Sequence, residues 1–224
     1  MKKLQTIQLI IYLLLLQSVT VVAQEAKPFW NEIQTFQKED SIQQPPTNSI
    51  LFVGSSSFRL WKGIEQAFPE HTIINRGFGG SSLPHVIQYA DAIIFPYQPR
   101  QIVIYCGEND LASSETVTSE LVIKRFKELF AIIRNRLPNV SLAYVSMKPS
   151  PSRWHLKEKM QDANNGIRAF LKMHKNTVFI DVWKPMLGKD GKPREELFVD
   201  DKLHMNEKGY AVWERLIKSH LVKT

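Results

Sequence analysis

Four short segments of the 224-residue chain hold residue types that could together transfer an acyl group. Gly54-Ser55-Ser56-Ser57 offers hydroxyls, and Asn75-Arg76-Gly77-Phe78-Gly79-Gly80-Ser81-Ser82 offers glycine amides. Gly107-Glu108-Asn109-Asp110 offers a carboxamide, and Asp200-Asp201-Lys202-Leu203-His204 an imidazole with carboxylates close by. A serine hydroxyl is a poor nucleophile at neutral pH unless a base takes its proton. His204 can be that base. Asp201, three residues earlier, can hold the imidazole in one tautomer and stabilise the imidazolium that forms. The oxyanion that develops on the carbonyl needs N–H donors aimed at it. A glycine amide approaches closely because no Cβ intervenes. A serine at the start of a helix has an amide without an intrahelical acceptor, and an asparagine side chain adds a third donor. Losing one such donor costs about 3 kcal/mol of transition-state stabilisation.

These groups act together only if the chain's elements bring them to one place. Short apolar runs predict strands over 50–53, 71–75, 101–106, 140–145 and 177–182. Between them, apolar residues at helical spacing predict helices over 58–68, 83–94, 118–137, 156–173 and 207–221, the last capped by Asn206. A further amphipathic helix is expected over 28–40, from Phe29, Ile33 and Phe36. Such alternation implies an α/β fold with a parallel sheet covered by helices on both faces. Ligands of such sheets bind beyond the carboxyl ends of the strands. Three of the four segments directly follow the first three strands, and Asp201-x-x-His204 follows the fifth after a loop.

Each segment alone has a plainer reading. Three serines usually make a turn or a helix cap. The glycines fail the dinucleotide fingerprint, because position 82 is serine, and no Gly-Lys-Ser/Thr follows them. Asn109-Asp110 could end a strand, and Asp201 and His204 could be a surface ion pair. Their conjunction on one rim favours catalysis. The residues by themselves leave Ser55 and Ser57 beside Ser56, and Asp200 beside Asp201, as alternatives.

In this order the four segments resemble the SGNH branch of the GDSL hydrolases, over residues 50–221. The resemblance implies Ser56 as nucleophile, since Ser55 falls one residue too early for the family spacing and Ser57 one too late. It implies Asp201 and His204 as its partners, with the Ser56 amide, Gly80 and Asn109 as the oxyanion hole. It implies a three-layer α/β/α sandwich with a five-stranded, parallel, flavodoxin-like sheet. It also implies hydrolysis of esters in small molecules, glycans or lipids, with no cofactor and no metal. One departure is Ser55, which stands where the family usually has an aspartate; that aspartate is not a member of the triad.

Composition narrows the class further. With 43% hydrophobic and 23% charged residues the chain is expected to fold. Its single cysteine, Cys106, excludes an internal disulfide and a cysteine-based zinc site. That thiol ends an apolar strand and is read as buried and inert. The other five histidines show no metal-ligand spacing. The net charge of +7 is a mild bias without a dense Lys/Arg stripe and interleaved aromatics, so no nucleic-acid partner is expected.

Residues 1–23 read as a signal peptide: Lys2 and Lys3, the apolar run Leu9–Leu16, and Val21-Val22-Ala23 as a cleavage site. The expected organisation is a leader (1–23), an N-terminal helix and linker (24–49), and a hydrolase domain (50–224). The mature protein is expected to be exported, periplasmic or extracellular, with no membrane span after cleavage. In the segment 148–155, Trp154 could stack on a sugar and Arg153 could meet an anion; a packed loop with Trp154 partly buried fits as well. No extended hydrophobic lid is evident, which favours short acyl groups such as acetyl on glycans. The alternatives are a lysophospholipase-like activity, or a non-catalytic ligand-binding module that keeps the cleft.

Overall fold

The computed structural model describes residues 27–223. The expected leader and its cleavage site lie outside the described residues. Five strands form one parallel sheet: β1 (Ile50–Gly54), β2 (Ile73–Gly77), β3 (Gln101–Tyr105), β4 (Ser141–Val145) and β5 (Thr177–Ile180), in the order β2-β1-β3-β4-β5. The helices are α1 (Trp30–Ile42), α2 (Ser56–Arg59), α3 (Ile64–Ala67), α4 (Leu83–Gln88), α5 (Ala90–Ile93), α6 (Glu108–Ser113), α7 (Ser119–Arg136), α8 (Lys157–Lys172) and α9 (Glu207–Lys218).

The sheet is apolar on both sides because alternate residues of each strand point to opposite faces. Leu51, Val53, Ile102, Ile104, Leu142 and Tyr144 pack with Val122 and Phe126 of α7 and Met160 and Ile167 of α8. Their neighbours in sequence, including Ile50, Phe52, Val103, Tyr105 and Val145, pack with Phe58 of α2, Ile64 of α3 and Trp213 and Ile217 of α9. The result is the three-layer α/β/α sandwich with a five-stranded parallel sheet. Two long helices start on side-chain caps. The Thr118 hydroxyl accepts from the Leu121 amide at 3.3 Å, and Asn206 Oδ1 accepts from the Lys208 and Gly209 amides at 3.0 and 3.2 Å.

Two expected helices are broken. Over 58–68 the chain forms two single turns, α2 and α3, because Gly63 adopts a left-handed conformation between them (φ 75°). Over 83–94 it breaks at Tyr89, which leaves helical dihedrals and donates its hydroxyl to the Pro28 carbonyl at 2.5 Å. Helix α6, directly after β3, is an element the periodicity does not reveal. The N-terminal helix α1 is no loose appendage: Ile33 is fully buried in the first core layer, and Asp40 receives both the Arg76 guanidinium and the Tyr97 hydroxyl.

From β1 the chain crosses first to β2 on one side and then to β3 on the other. This reversal opens a crevice beyond the carboxyl ends of β1 and β3, where such folds place their ligands.

Candidate active site

The end of β1 turns sharply into α2. Gly54 makes this possible: its φ is 136°, and a Cβ there would lie 1.9 Å from the Tyr105 carbonyl oxygen. The Ser55 amide donates to that same oxygen at 3.0 Å, so the strand end is pinned to β3. Burial then separates the three serines. Ser55 and Ser57 are 4% and 2% exposed, while Ser56, first residue of α2, is half-buried at the crevice. Ser56 Oγ lies 2.9 Å from His204 Nε2.

His204 arrives on a tight turn between β5 and α9. Asp201 builds that turn: Oδ1 accepts from the Leu203 and His204 amides, each at 2.8 Å, and Oδ2 lies 2.5 Å from His204 Nδ1. A carboxylate facing Nδ1 keeps the ring proton there and leaves Nε2 free to accept from the serine hydroxyl. Burial pushes the Asp201 carboxyl up, but the two amides and the imidazole outweigh it and hold it below the usual aspartate value. Among the described residues Asp200 makes no such contact with His204. Residues 148 positions apart thus meet as hydroxyl, imidazole and carboxylate in one chain of contacts.

The loop after β2 is tied to the end of β1. The Phe78 amide donates to the Gly54 carbonyl at 3.0 Å, and the Ser81 hydroxyl to the same oxygen at 2.9 Å. Gly79 turns its amide toward α1, where Glu32 Oε2 accepts it at 3.0 Å. The Gly80 amide is left over: among the described residues neither it nor the Ser56 amide donates to a carbonyl. A Cβ on Gly80 would lie 3.8 Å from Asn109 Nδ2, so that glycine and that carboxamide stand side by side. Asn109 Nδ2 donates one proton to the Ser81 carbonyl at 3.0 Å and has a second to give. The arrangement can therefore activate a hydroxyl and present N–H donors to a developing oxyanion.

Several residues that shape the site escape sequence reasoning. Asp110, fully buried, accepts from the Leu83 amide at 2.9 Å and pairs with Arg125 at 2.8 Å, joining the asparagine segment to the start of α4. Burial raises its carboxyl despite both partners. Glu108 is buried beside Lys148, Arg153 and Tyr105. A charged residue just beyond an apolar strand was the available signal for Glu108 and Lys148, but their partners depend on which strands are neighbours.

Arg153 and Trp154 are both partly buried and held by protein partners. Trp154 stacks on Trp183 (6.0 Å between centroids, 24° between planes), and the packed-loop reading is the one that holds. The Arg153 guanidinium is engaged by Glu108 and Asn109. Cys106 is buried, and burial, with Asp110 nearby, pushes its thiol well up, as expected of an inert cysteine.

Beside the Asp201 turn lies an open cleft of about 920 Å³, lined by Leu111, Arg153, His155, Leu156, Lys159 and Leu203 among others. A smaller hollow of about 570 Å³ sits at the opposite end of the sheet. Its arginines are committed elsewhere, Arg100 to the Asn48 carbonyl and Arg136 to Asp91, and it is remote from the reacting groups.

Comparison with known proteins bears on the same segments. Residues 40–212 match the family model of the GDSL-like lipase/acylhydrolase family. Platelet-activating factor acetylhydrolase IB subunit alpha1 of Pongo abelii is 25% identical over 190 residues, spanning 82% of this chain and 79% of that one. Among solved structures, a GDSL-like lipase from Bacteroides thetaiotaomicron superposes with a TM-score of 0.72 at 20% identity, covering 84% of this chain and 96% of that one. An acetyl xylan esterase, AlAXEase, superposes with a TM-score of 0.62 at 19% identity, covering 77% of this chain and 99% of that one. At such identities the superpositions speak for the fold, and the family match speaks for descent. Since that match runs from within α1 into α9 and takes in all four segments, the chain belongs to the GDSL-like lipase/acylhydrolase family, in its SGNH branch.

Proposed function

We propose that this protein is a serine ester hydrolase that works through an acyl-enzyme and prefers short acyl groups, acetyl above all. The observation that carries the reading is the unbroken contact from Ser56 Oγ through the His204 ring to Asp201, at 2.9 and 2.5 Å, on the rim where the fold binds ligands. Ser56 attacks the acyl carbonyl as His204 Nε2 takes the hydroxyl proton. Asp201 holds the ring and stabilises its positive charge. The Ser56 amide, the Gly80 amide and the second Asn109 proton bind the oxyanion. His204 then gives its proton to the leaving alkoxide. A water, deprotonated by the same nitrogen, attacks the acyl-enzyme and releases the acid and the free serine.

Two features support a short acyl group. The cleft beside the turn is an open surface feature with mixed walls, Leu111, Leu156 and Leu203 beside Arg153, His155 and Lys159, and among the described residues it does not enclose a long chain. Two of the compared proteins, different in their alcohol, carry acetyl in their names: one a platelet-activating factor acetylhydrolase, the other an acetyl xylan esterase. The leader of residues 1–23 supports export, which suits an extracellular or periplasmic glycan ester.

The test is turnover of p-nitrophenyl acetate, butyrate and octanoate, and of acetylated xylo-oligosaccharides, with Ser56→Ala as control. The acetate ester is expected to turn over fastest, and Ser56→Ala to lose at least about 10³-fold in kcat while keeping its melting temperature. Undiminished turnover in Ser56→Ala would remove the serine from the mechanism. A preference for octanoate would reverse the acyl-length reading.

A further inference from the structure

We infer that Arg153 is a positioning residue for Asn109, fixing which end of that carboxamide faces the oxyanion. The role rests on the hydrolase reading above, in which Asn109 donates to the transition state.

A carboxamide is nearly symmetric in shape and opposite in chemistry at its two ends. Turned by half a revolution, Asn109 would present its oxygen to the oxyanion, replacing a donor by a repelling acceptor. Something must select one orientation, and two contacts do so. Asn109 Nδ2 donates to the Ser81 carbonyl at 3.0 Å, and Asn109 Oδ1 accepts from Arg153 Nη2 at 2.9 Å. A carbonyl has no proton to give and a guanidinium no lone pair to offer, so both contacts reject the turned amide.

Arg153 is itself held. Its Nη1 lies 3.1 Å from Glu108 Oε1, and Glu108 immediately precedes Asn109 in the chain. The other oxygen of Glu108 takes the Lys148 ammonium at 2.8 Å and the Tyr105 hydroxyl. Lys148 also reaches the Tyr105 hydroxyl at 3.2 Å. Glu108, Lys148 and Tyr105 are all buried, so the carboxylate has one available arrangement and the guanidinium docks against it in a fixed plane.

The alternative, an arginine that binds an anionic part of the substrate, fits less well. Each terminal nitrogen already holds a protein partner, Glu108 for Nη1 and Asn109 for Nη2, and the side chain is only 18% exposed although it borders the cleft. The segment that carries Arg153 also reaches the histidine turn, where the Ser152 amide donates to the Lys202 carbonyl at 3.1 Å. It thus touches both halves of the machinery without supplying a reacting atom.

The experiment is a double-mutant cycle on p-nitrophenyl acetate, with kcat and KM measured separately for the wild type, Arg153→Met, Asn109→Ala and the double variant. Arg153→Met is expected to lower kcat roughly 10- to 100-fold with KM within about threefold of wild type. In the Asn109→Ala background the same substitution is expected to change kcat by less than about threefold, because no amide remains to orient. Arg153→Lys, which keeps the charge but not the fork, should fall between Arg153→Met and wild type. It replaces Arg153→Met in the cycle should that variant fail to fold. Equal losses in both backgrounds would assign Arg153 a general structural role and overturn the proposal. A rise in KM with kcat unchanged would make it a substrate contact, and an unchanged enzyme would remove it altogether. Lack of Ser56-dependent turnover in the wild type would overturn the hydrolase reading, and this role with it.

Discussion

The carboxylate of Asp201 accepts from three donors of one short turn: the Leu203 and His204 amides at 2.8 Å and the His204 ring at 2.5 Å. The amide contacts make the turn, and the ring contact orients the imidazole. Asp201→Asn separates these tasks, because an asparagine oxygen can still accept from the amides. Its NH2 group, facing Nδ1, would draw the ring into the other tautomer and leave Nε2 protonated. The expected outcome is a kcat lower by about 10³–10⁴ with the fold intact, checked by turnover and thermal melting together. A loss under tenfold would mean that the ring is held by something else. At this scale the sequence was informative about residue types and less so about exposure. Ser56 stands out among three adjacent hydroxyls by the family spacing, and its neighbours are then found buried. The roles of Arg153 and Trp154 were not legible, because their partners Asn109, Glu108 and Trp183 come from distant parts of the chain.

Helix α1 precedes the strand–helix alternation and still shapes the oxyanion loop. Glu32 accepts the Gly79 amide, and the Phe29 ring fills the space where a Gly79 Cβ would be, 2.2 Å from its nearest ring carbon. Phe29 also meets Phe78 edge-on at 5.5 Å and His85 at 4.9 Å. With the Gly79 amide engaged by the helix, the next amide, on Gly80, is the one left for the crevice. Glu32→Ala is therefore expected to lower kcat about tenfold by loosening that loop, and to cost roughly 1–3 kcal/mol of stability. Glu39→Ala, exposed on the same helix, is the control and should change neither. Turnover and chemical denaturation of both variants check this, and a silent Glu32→Ala would show that the loop holds its shape without the helix. Strands and long helices were readable to within three residues, since apolar periodicity reports burial directly. The breaks at Gly63 and Tyr89 were not, because one is a backbone conformation and the other a long-range hydrogen bond.

Across the whole molecule the two core layers meet at a sheet whose carboxyl rim carries buried charge. Burial pushes the Glu108 carboxyl up, but Lys148 and Arg153 outweigh it and hold it below the usual glutamate value. Burial likewise pulls the Lys148 ammonium below the usual lysine value, against the pull of Glu108. A carboxyl lowered by folding adds stability above its ordinary titration range and loses it as the pH falls through the lowered value. Glu108→Gln should therefore be destabilised at neutral pH, by roughly 3 kcal/mol, because two cations lose their buried counter-charge. The gap to wild type should close as the solution is acidified and the wild-type carboxyl takes up a proton. Denaturation curves across acidic and neutral pH check this, and a constant gap would contradict it. The parallel fold was readable from the alternation of elements. The cluster was not, because it needs β3 and β4 to be neighbours, and strand order is a property of the assembled sheet.

The proposed mechanism requires the Ser56 hydroxyl, activated by His204, to be the nucleophile. The most direct measurement is covalent labelling of the folded protein with a fluorophosphonate, followed by mass spectrometry of the peptide that contains residues 55–57. One adduct is expected, on Ser56, that disappears in Ser56→Ala and forms far more slowly in His204→Ala. An adduct on Ser55 or Ser57, or a folded protein that takes up no label, would contradict it.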